Sequence, residues 1–445
     1  TNTITPRMIS GCYRIRNVEG EVVGVFTNKA PIGPYRGAGR PEATFAIERI
    51  IDRLASKLRI DPAEIRRRNF IQPGEFPYKT ATGVTYDTGD YNAALDEALK
   101  LVGYEELRRE RHRLRKQGRY IGIGLSAYVE ITGGGSGDWE TARVRVEPSG
   151  QVTVYTGVSP HGQGEETSFA QICADALEIP VEAVTVRLGD TAEIPEGVGT
   201  FASRSIMIGG TAVLEASREV RDKAMKLGAY FLGVESREVI MDGGVVRVRD
   251  DTGRTVSLGE IAEVAQGPDR LPPGTEPGLD ATSVFAMKGM AAPFGVHVAV
   301  VEVDLETGVV RVKKYVAVDD CGTVINPVLV EGQIHGGAVQ GISQALFEEV
   351  VYDERGQLLT SSLMDYTLPT SREAPHIVSE RTETPSPLNP LGAKGVGEMA
   401  TIGSTPAIAN AVDDALSPLS VTISSVPCTP EVVWKAIQRT QSTPA

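Results

Sequence analysis

The stretch at residues 295–322, GVHVAVVEVDLETGVVRVKKYVAVDDCG, decides how the rest of the chain is read. Val296, Val298 and Val300 recur on alternate positions with Val303 following, Glu306-Thr307-Gly308 supplies a turn, and Val310, Val312, Val316 and Val318 resume the pattern. A period near two puts side chains on one face of an extended chain, and a glycine-bearing turn between two such runs makes a hairpin. A glycine-bearing helix is predicted over 327–349, opened by Asn326-Pro327. Residues 142–157 repeat the plan, with alternating valines around Pro148-Ser149-Gly150, then a glycine-rich turn and a helix from near Glu165. Hairpin, loop and helix used twice predict an α+β fold of pseudo-duplicated units. Pro268, Pro272, Pro273 and Pro277 mark residues 267–278 as the joint between two similar subdomains.

Working outward, the second unit is expected over 91–445 and a first one, with its linker, over 1–90. Residues 8–27 contain Val22, Val23, Val25 and Phe26 in a strand-like pattern, with nothing ahead of them to pair with or cover them. The first part of that unit is therefore expected on a separate chain, or removed. Pro41 opens a helix whose apolar face is Phe45, Ile47, Ile50, Ile51, Leu54 and Leu58. Asp61-Pro62-Ala63-Glu64 reads as the cap and first turn of another. Residues 72–89 read as a linker, and the charged stretch 92–117 as surface helix.

Composition excludes several classes. The 445 residues are too many for one compact core, since single cores stop growing at roughly 250–300 residues. A net charge of −13 leaves no electrostatic footprint for nucleic acid or an anionic membrane, so neither is an expected partner. The longest apolar runs fall short of the ~20 residues of a spanning helix, and a soluble, cytoplasmic protein is expected. The four cysteines form no CxxC pair, and the five histidines form no HExxH or i,i+4 pair. Any metal must therefore arrive on a carrier. Glycine is the outlier, with 48 residues against the ordinary ~7%, and it clusters in tight loops.

Four of these loops could carry chemistry. His161-Gly162-Gln163-Gly164 follows a strand and precedes a helix, so its free N–H groups and the helix dipole offer an anion seat; a plain tight turn is the alternative. Gly199-Thr200-Phe201-Ala202-Ser203-Arg204-Ser205 brings two hydroxyls and an arginine near a helix start, suited to a phosphate or a pterin edge, or to ordinary capping. Gly336, Gly337 and Gly341, around Gln340, each cost a helix about 0.8–1 kcal/mol relative to alanine. Close approach of a ligand or of a second helix would justify them. Gly392-Ala393-Lys394-Gly395-Val396-Gly397-Glu398, ahead of Ser404-Thr405-Pro406 and a capped helix expected to run to Leu416, ends in a carboxylate that could serve as a general base in a closed pocket, or could simply be solvated. Gly122-Ile123-Gly124-Leu125-Ser126-Ala127 matches G-x-G-x-x-G/A but continues as strand, which argues against a Rossmann site.

Taken jointly and in order, these loops and Pro34-Tyr35-Arg36-Gly37-Ala38-Gly39-Arg40-Pro41-Glu42 resemble the molybdenum-cofactor-binding large subunit of the xanthine oxidase/aldehyde oxidase/carbon monoxide dehydrogenase family. The likeness runs from about Met8 to Ala436. It implies a molybdenum–molybdopterin cofactor, in the cytosine dinucleotide form, whose pterin dithiolene rather than the protein holds the metal. It implies Glu398 as the base that deprotonates the molybdenum-bound hydroxyl for attack on an electrophilic carbon, and Arg36 as the residue that orients the substrate. Gly162, Gln163, Gly164, Ser203, Arg204, Ser205, Gln340 and the Lys394, Gly395, Val396 and Gly397 backbone would hold the pterin and its pyrophosphate. The expected activity is oxidation of an aldehyde or hydroxylation of an N-heterocycle with water-derived oxygen. A non-catalytic cofactor-scaffold subunit is the alternative. The family's hammerhead-like first domain and Gly-Gly-Phe-Gly loop are not in this sequence, so a chain carrying them is an expected partner, with [2Fe-2S] and FAD subunits to take the electrons. The loop 33–39 has no cysteine, which counts against carbon monoxide oxidation.

Overall fold

The computed structural model describes residues 3–133, 138–194 and 196–441. Two four-stranded sheets organise it. In the first, Phe294–Val303 and Val310–Asp320 form the expected antiparallel hairpin, the helix Pro327–Leu346 follows, and Ile377–Arg381 returns parallel to the second hairpin strand. In the second, Trp139–Val146 and Val152–Thr156 form the hairpin, Glu165–Leu177 is the helix, and Val184–Leu188 returns parallel. A long helix closes each repeat: Gly210–Leu232 for the second sheet and Met399–Leu416 for the first.

The fourth strand of each sheet is exchanged. Tyr120–Val129 precedes the 139–156 hairpin in the chain but pairs with Phe294–Val303. Asp280–Ala286 precedes the 294–320 hairpin but pairs with Trp139–Val146. The two repeats are thereby laced together, and residues 267–278 lead into a strand of the other repeat's sheet.

Gly122 and Gly124 belong to Tyr120–Val129, as their strand reading requires, and their purpose is steric. A Cβ on Gly122 would lie 1.9 Å from the Ala411 carbonyl oxygen, and one on Gly124 would lie 2.1 Å from that of Ala407. The helix Met399–Leu416 rests its backbone directly on these two residues. That helix is almost wholly buried, between the first sheet, the helix Pro327–Leu346 and the helix Arg40–Leu58.

Three expectations at the element level need correction. Residues 8–27 form no strand; Val22, Val23, Val25 and Phe26 are exposed on irregular chain, because no neighbouring strand among the described residues offers them a ladder. Residues 72–89 are more than a linker: they hold a small hairpin, Tyr78–Lys79 with Thr85–Tyr86, that buries Val84 and Tyr86. The last long helix starts at Met399 rather than at Pro406, which sits inside it. Elsewhere the reading is followed closely: a helix covers Arg40–Leu58, Asp61 caps Pro62–Asn69 through the Ala63 and Glu64 N–H groups, and 92–117 is helical with a break at Gly103.

Candidate active site

The glycine-rich loops at 161–164, 199–205 and 392–398 and the 34–39 loop meet at one cavity of about 1050 Å³. Its floor is built on Glu398, which immediately precedes the helix Met399–Leu416. One carboxylate oxygen accepts the Gly37 N–H at 2.9 Å. The other accepts the Ser203 hydroxyl at 3.1 Å and lies 3.5 Å from a guanidinium nitrogen of Arg40. The Glu398 N–H donates back to Ser203 Oγ at 3.0 Å. A carboxylate at a helix N-terminus also meets the positive end of the dipole. The side chain is only 15% exposed and lines the cavity, so Glu398 is a fixed group facing a hollow rather than a solvated loop residue.

Loop chemistry makes this convergence possible. Gly37 has φ +99°, and a Cβ there would meet the Pro41 ring at 2.5 Å, so only glycine can turn the chain into the helix Arg40–Leu58 while aiming its N–H at Glu398. Gly395 lies against the other loop, where a Cβ would come within 2.0 Å of the Ser203 carbonyl oxygen. Ala202 and Ser203 both hold φ near +50°, an uncommon conformation for residues with side chains, and it turns Ser203 toward Glu398.

Arg36 lines the cavity, but its guanidinium is tightly braced. It donates to the Gly397 carbonyl at 2.7 Å, to Gln340 Oε1 at 3.2 Å and to Gln333 Oε1 at 2.9 Å. Burial pulls its pKa down, partly offset by the charge of Glu398. Gln340 therefore acts on Arg36, and is not among the residues lining the cavity. Elsewhere around the cavity, Gly164 precedes the helix Glu165–Leu177 with no side chain capping it. Gly162, Gln163, Thr200 and Ser205 line this end beside free helix N–H groups. Glu165 also faces it, with one carboxyl oxygen lacking a partner and its pKa raised by burial.

Of the expected cofactor contacts, Gly164, Gly395 and Arg204 are not among the residues lining the cavity, while Lys394 lines it with its charged end turned elsewhere. Arg204 turns away from the cavity: its guanidinium is buried against Glu140 and the carbonyls of Gly199 and Trp139, so it props the loop from behind. The Lys394 ammonium is likewise buried outside the cavity, donating to the carbonyls of Thr88 and Ala292 and to Thr384 Oγ1, with Asp320 at 3.8 Å. Both side chains need strong acceptors once desolvated, and the loop backbones provide them. Gly337 and Gly341 serve helix packing, since a Cβ on them would meet Ala400 at 3.0 Å and Ser404 Oγ at 1.8 Å. Glu130, Arg40, Thr200 and Gln333 are further polar residues of the site. Thr200 and Arg40 stand within the loops quoted above, whereas Glu130, at the end of a hydrophobic strand, carries no local signal.

The site fits a large organic cofactor bearing its own metal ligands. It offers a deep cavity, neutral donors and an uncapped helix end that suits a phosphate. Among the described residues, no group of three or more His, Cys, Asp or Glu side chains is positioned to hold a metal ion.

Family models described as molybdopterin cofactor-binding domains match residues 97–375 and 1–70. The chain belongs to the molybdopterin cofactor-binding domain family, and its fold is the molybdenum-cofactor-binding fold of the xanthine oxidase family. It is 40% identical to the carbon monoxide dehydrogenase large chain of Hydrogenophaga pseudoflava over 96% of this chain and 55% of that one. It is 37% identical to the nicotine 6-hydroxylase large subunit of Paenarthrobacter nicotinovorans over 98% of this chain and 54% of that one. Quinoline 2-oxidoreductase from Pseudomonas putida 86 superposes with a TM-score of 0.93 at 39% identity, covering 98% of this chain and 57% of that one. The chain thus spans about half the length of the relatives it matches. No helix among the described residues is long and apolar enough to cross a membrane.

Proposed function

We propose that this chain is the catalytic molybdenum-cofactor part of a hydroxylase that oxidises an aldehyde or hydroxylates an N-heterocycle with oxygen from water. The observation that carries the reading is Glu398, a cavity-facing carboxylate fixed by Gly37, Ser203 and Arg40 at the meeting point of the glycine-dense loops. When bound, the cofactor would supply a redox-active metal able to accept an electron pair from the substrate. Glu398, facing the cavity, would be the general base, taking up a proton on its carboxylate. Arg36, locked by Gln340, Gln333 and the Gly397 carbonyl, presents its cavity edge to a substrate carbonyl or ring nitrogen. Gln163, Thr200, Ser203, Ser205 and the 394–397 backbone hold the pterin, and the 162–164 turn at the helix Glu165–Leu177 takes the pyrophosphate of a cytosine dinucleotide form. Neutral donors and a helix dipole allow an acidic protein to seat such a polyanion.

The N-heterocycle choice draws support from two relatives whose names specify nicotine and quinoline. Carbon monoxide oxidation is disfavoured by the cysteine-free loop 33–39; the cysteine nearest the cavity, Cys321, is buried and has its thiol pushed up to about 12, chiefly by desolvation. Electrons leave through [2Fe-2S] and FAD subunits, and the part of the large subunit that this sequence does not span completes the pocket. In the assembled complex, Glu398→Gln should retain molybdenum and pterin while turnover falls by about 100-fold or more, the scale of a lost general base. Turnover near that of the native complex would contradict the assignment.

A further inference from the structure

Glu130 is completely buried at the end of the strand Tyr120–Val129, one hydroxyl away from Glu398. Ser203 Oγ lies 3.0 Å from Glu130 Oε1 and 3.1 Å from Glu398 Oε2, and its lone pair already accepts the Glu398 N–H. A serine hydroxyl has a single hydrogen, so it can donate to only one of the two carboxyl groups at a time. The other oxygen of Glu130 is buried with no hydrogen-bond partner. The charged groups around Glu130 are Arg40 from the helix Arg40–Leu58, Arg36 from the preceding loop and Glu398 itself, with Tyr128 on its own strand. Arg40 divides its donors among the Gly37 carbonyl, the Ile131 carbonyl and Glu398. Arg36 spends its donors on the Gly397 carbonyl, Gln340 and Gln333, so neither guanidinium hydrogen-bonds Glu130 and a charged Glu130 would stand beside Glu398 in a water-poor site without a directly paired cation.

We propose that Glu130 is a positioning residue for Glu398: the buried pair retains one proton, on Glu130, and Ser203 turns its hydroxyl hydrogen from one carboxyl group to the other as Glu398 changes charge. The proton on Glu130 removes the repulsion that would otherwise force a proton onto the base. When Glu398 then gains a proton, Ser203 is released to donate to Glu130. Desolvation, reinforced by the charge of Glu398 and opposed by Arg40, raises the Glu130 pKa well above the ordinary carboxylate range, in keeping with this arrangement. The inference rests on Glu398 as the base, but its readouts need no turnover.

The assembled complex should show at pH 7 an infrared carbonyl-stretch band of a protonated carboxyl group that is absent from Glu130→Gln and shifted in frequency in Glu130→Asp. The Asp variant keeps the assignment testable where the Gln variant fails to fold. In Glu398→Gln the band should persist but titrate away at lower pH, because the anionic neighbour is gone. Melting supplies the second readout. A carboxyl group whose folded pKa is raised binds its proton more tightly in the folded state, so its contribution erodes stability as pH rises above the unfolded value of about 4.3. The melting temperature of Glu130→Gln relative to native should therefore climb steadily from about pH 5 to about pH 8. A difference that is constant with pH, no protonated-carboxyl band, or a band with the same midpoint in native and Glu398→Gln complexes would each overturn the proposal. Retained turnover in Glu398→Gln would instead overturn the base assignment and leave the Glu130 measurements to be read separately.

Discussion

Lys394 shows how a residue that lines a site can send its charge elsewhere. Lys394, Val396 and Gly397 line the cavity, while the ammonium is driven the other way, into three oxygen acceptors and toward the buried Asp320. Burial pushes the Lys394 pKa down and that of Asp320 up, and each charge offsets the other's desolvation. Lys394→Met would leave Asp320 uncompensated and should cost about 3–5 kcal/mol, read by denaturant melting, as removal of one partner of a buried pair does. Wild-type stability in that variant would mean the pair is not formed. Arg204 follows the same logic against Glu140. A sequence reports which residue types occupy a loop, and the positive φ values of Gly37 and Gly164 were foreseeable from glycine alone. It does not report to which side of a loop a long cation turns, because that depends on carbonyl groups from distant segments. Glu130 was illegible for the same reason: its partners, Ser203 and Glu398, come from elsewhere in the chain.

At the scale of elements, the glycines of Pro327–Leu346 and Tyr120–Val129 set how closely the buried helix Met399–Leu416 can approach. The interior glycines pointed correctly to a close neighbour, but could not say whether it was a ligand or another helix. For Gly337 and Gly341 it is a helix, and Thr401 and Thr405 seal the contact by donating to the Gly337 and Gly341 carbonyls. Three alanine substitutions should therefore separate in order. At Gly332 nothing lies within 4 Å, so Gly332→Ala should stabilise by about 0.8–1 kcal/mol through helix propensity. Gly341→Ala meets a serine hydroxyl that can rotate and should cost about 1–3 kcal/mol. Gly124→Ala meets helix backbone that cannot turn aside and should be the most damaging. Thermal melts of the three variants check the order, and equal effects would contradict the packing. The hairpins were readable because valine alternation is local. Residues 8–27 were misread for the complementary reason: alternation without a partner strand makes no ladder.

Across the whole molecule, exchange of Tyr120–Val129 and Asp280–Ala286 binds the repeats into one body, and the N-terminal segment is tied in as firmly. Glu48, fully buried on the helix Arg40–Leu58, pairs with Arg66 and accepts the Ala127 N–H of the first sheet, while Arg66 donates to the Leu125 carbonyl. Arg49 reaches the Ala409 carbonyl and Asn410 in the buried helix. This lacing holds Arg36, Gly37 and Arg40 against Glu398 across more than 350 residues of chain. The strand exchange left no trace in the sequence, since either hairpin presents an equally good edge. The central claim is that the cavity at these loops holds the cofactor with Glu398 beside its reactive metal. Crystallography of the assembled, cofactor-loaded complex with anomalous data at the molybdenum edge tests it most directly. The account predicts a single molybdenum peak inside the cavity, facing the Glu398 carboxylate, with the pterin tail running toward Gly162–Gly164. A molybdenum peak outside this cavity, or a Glu398 carboxylate turned into bulk water in the loaded complex, would contradict it.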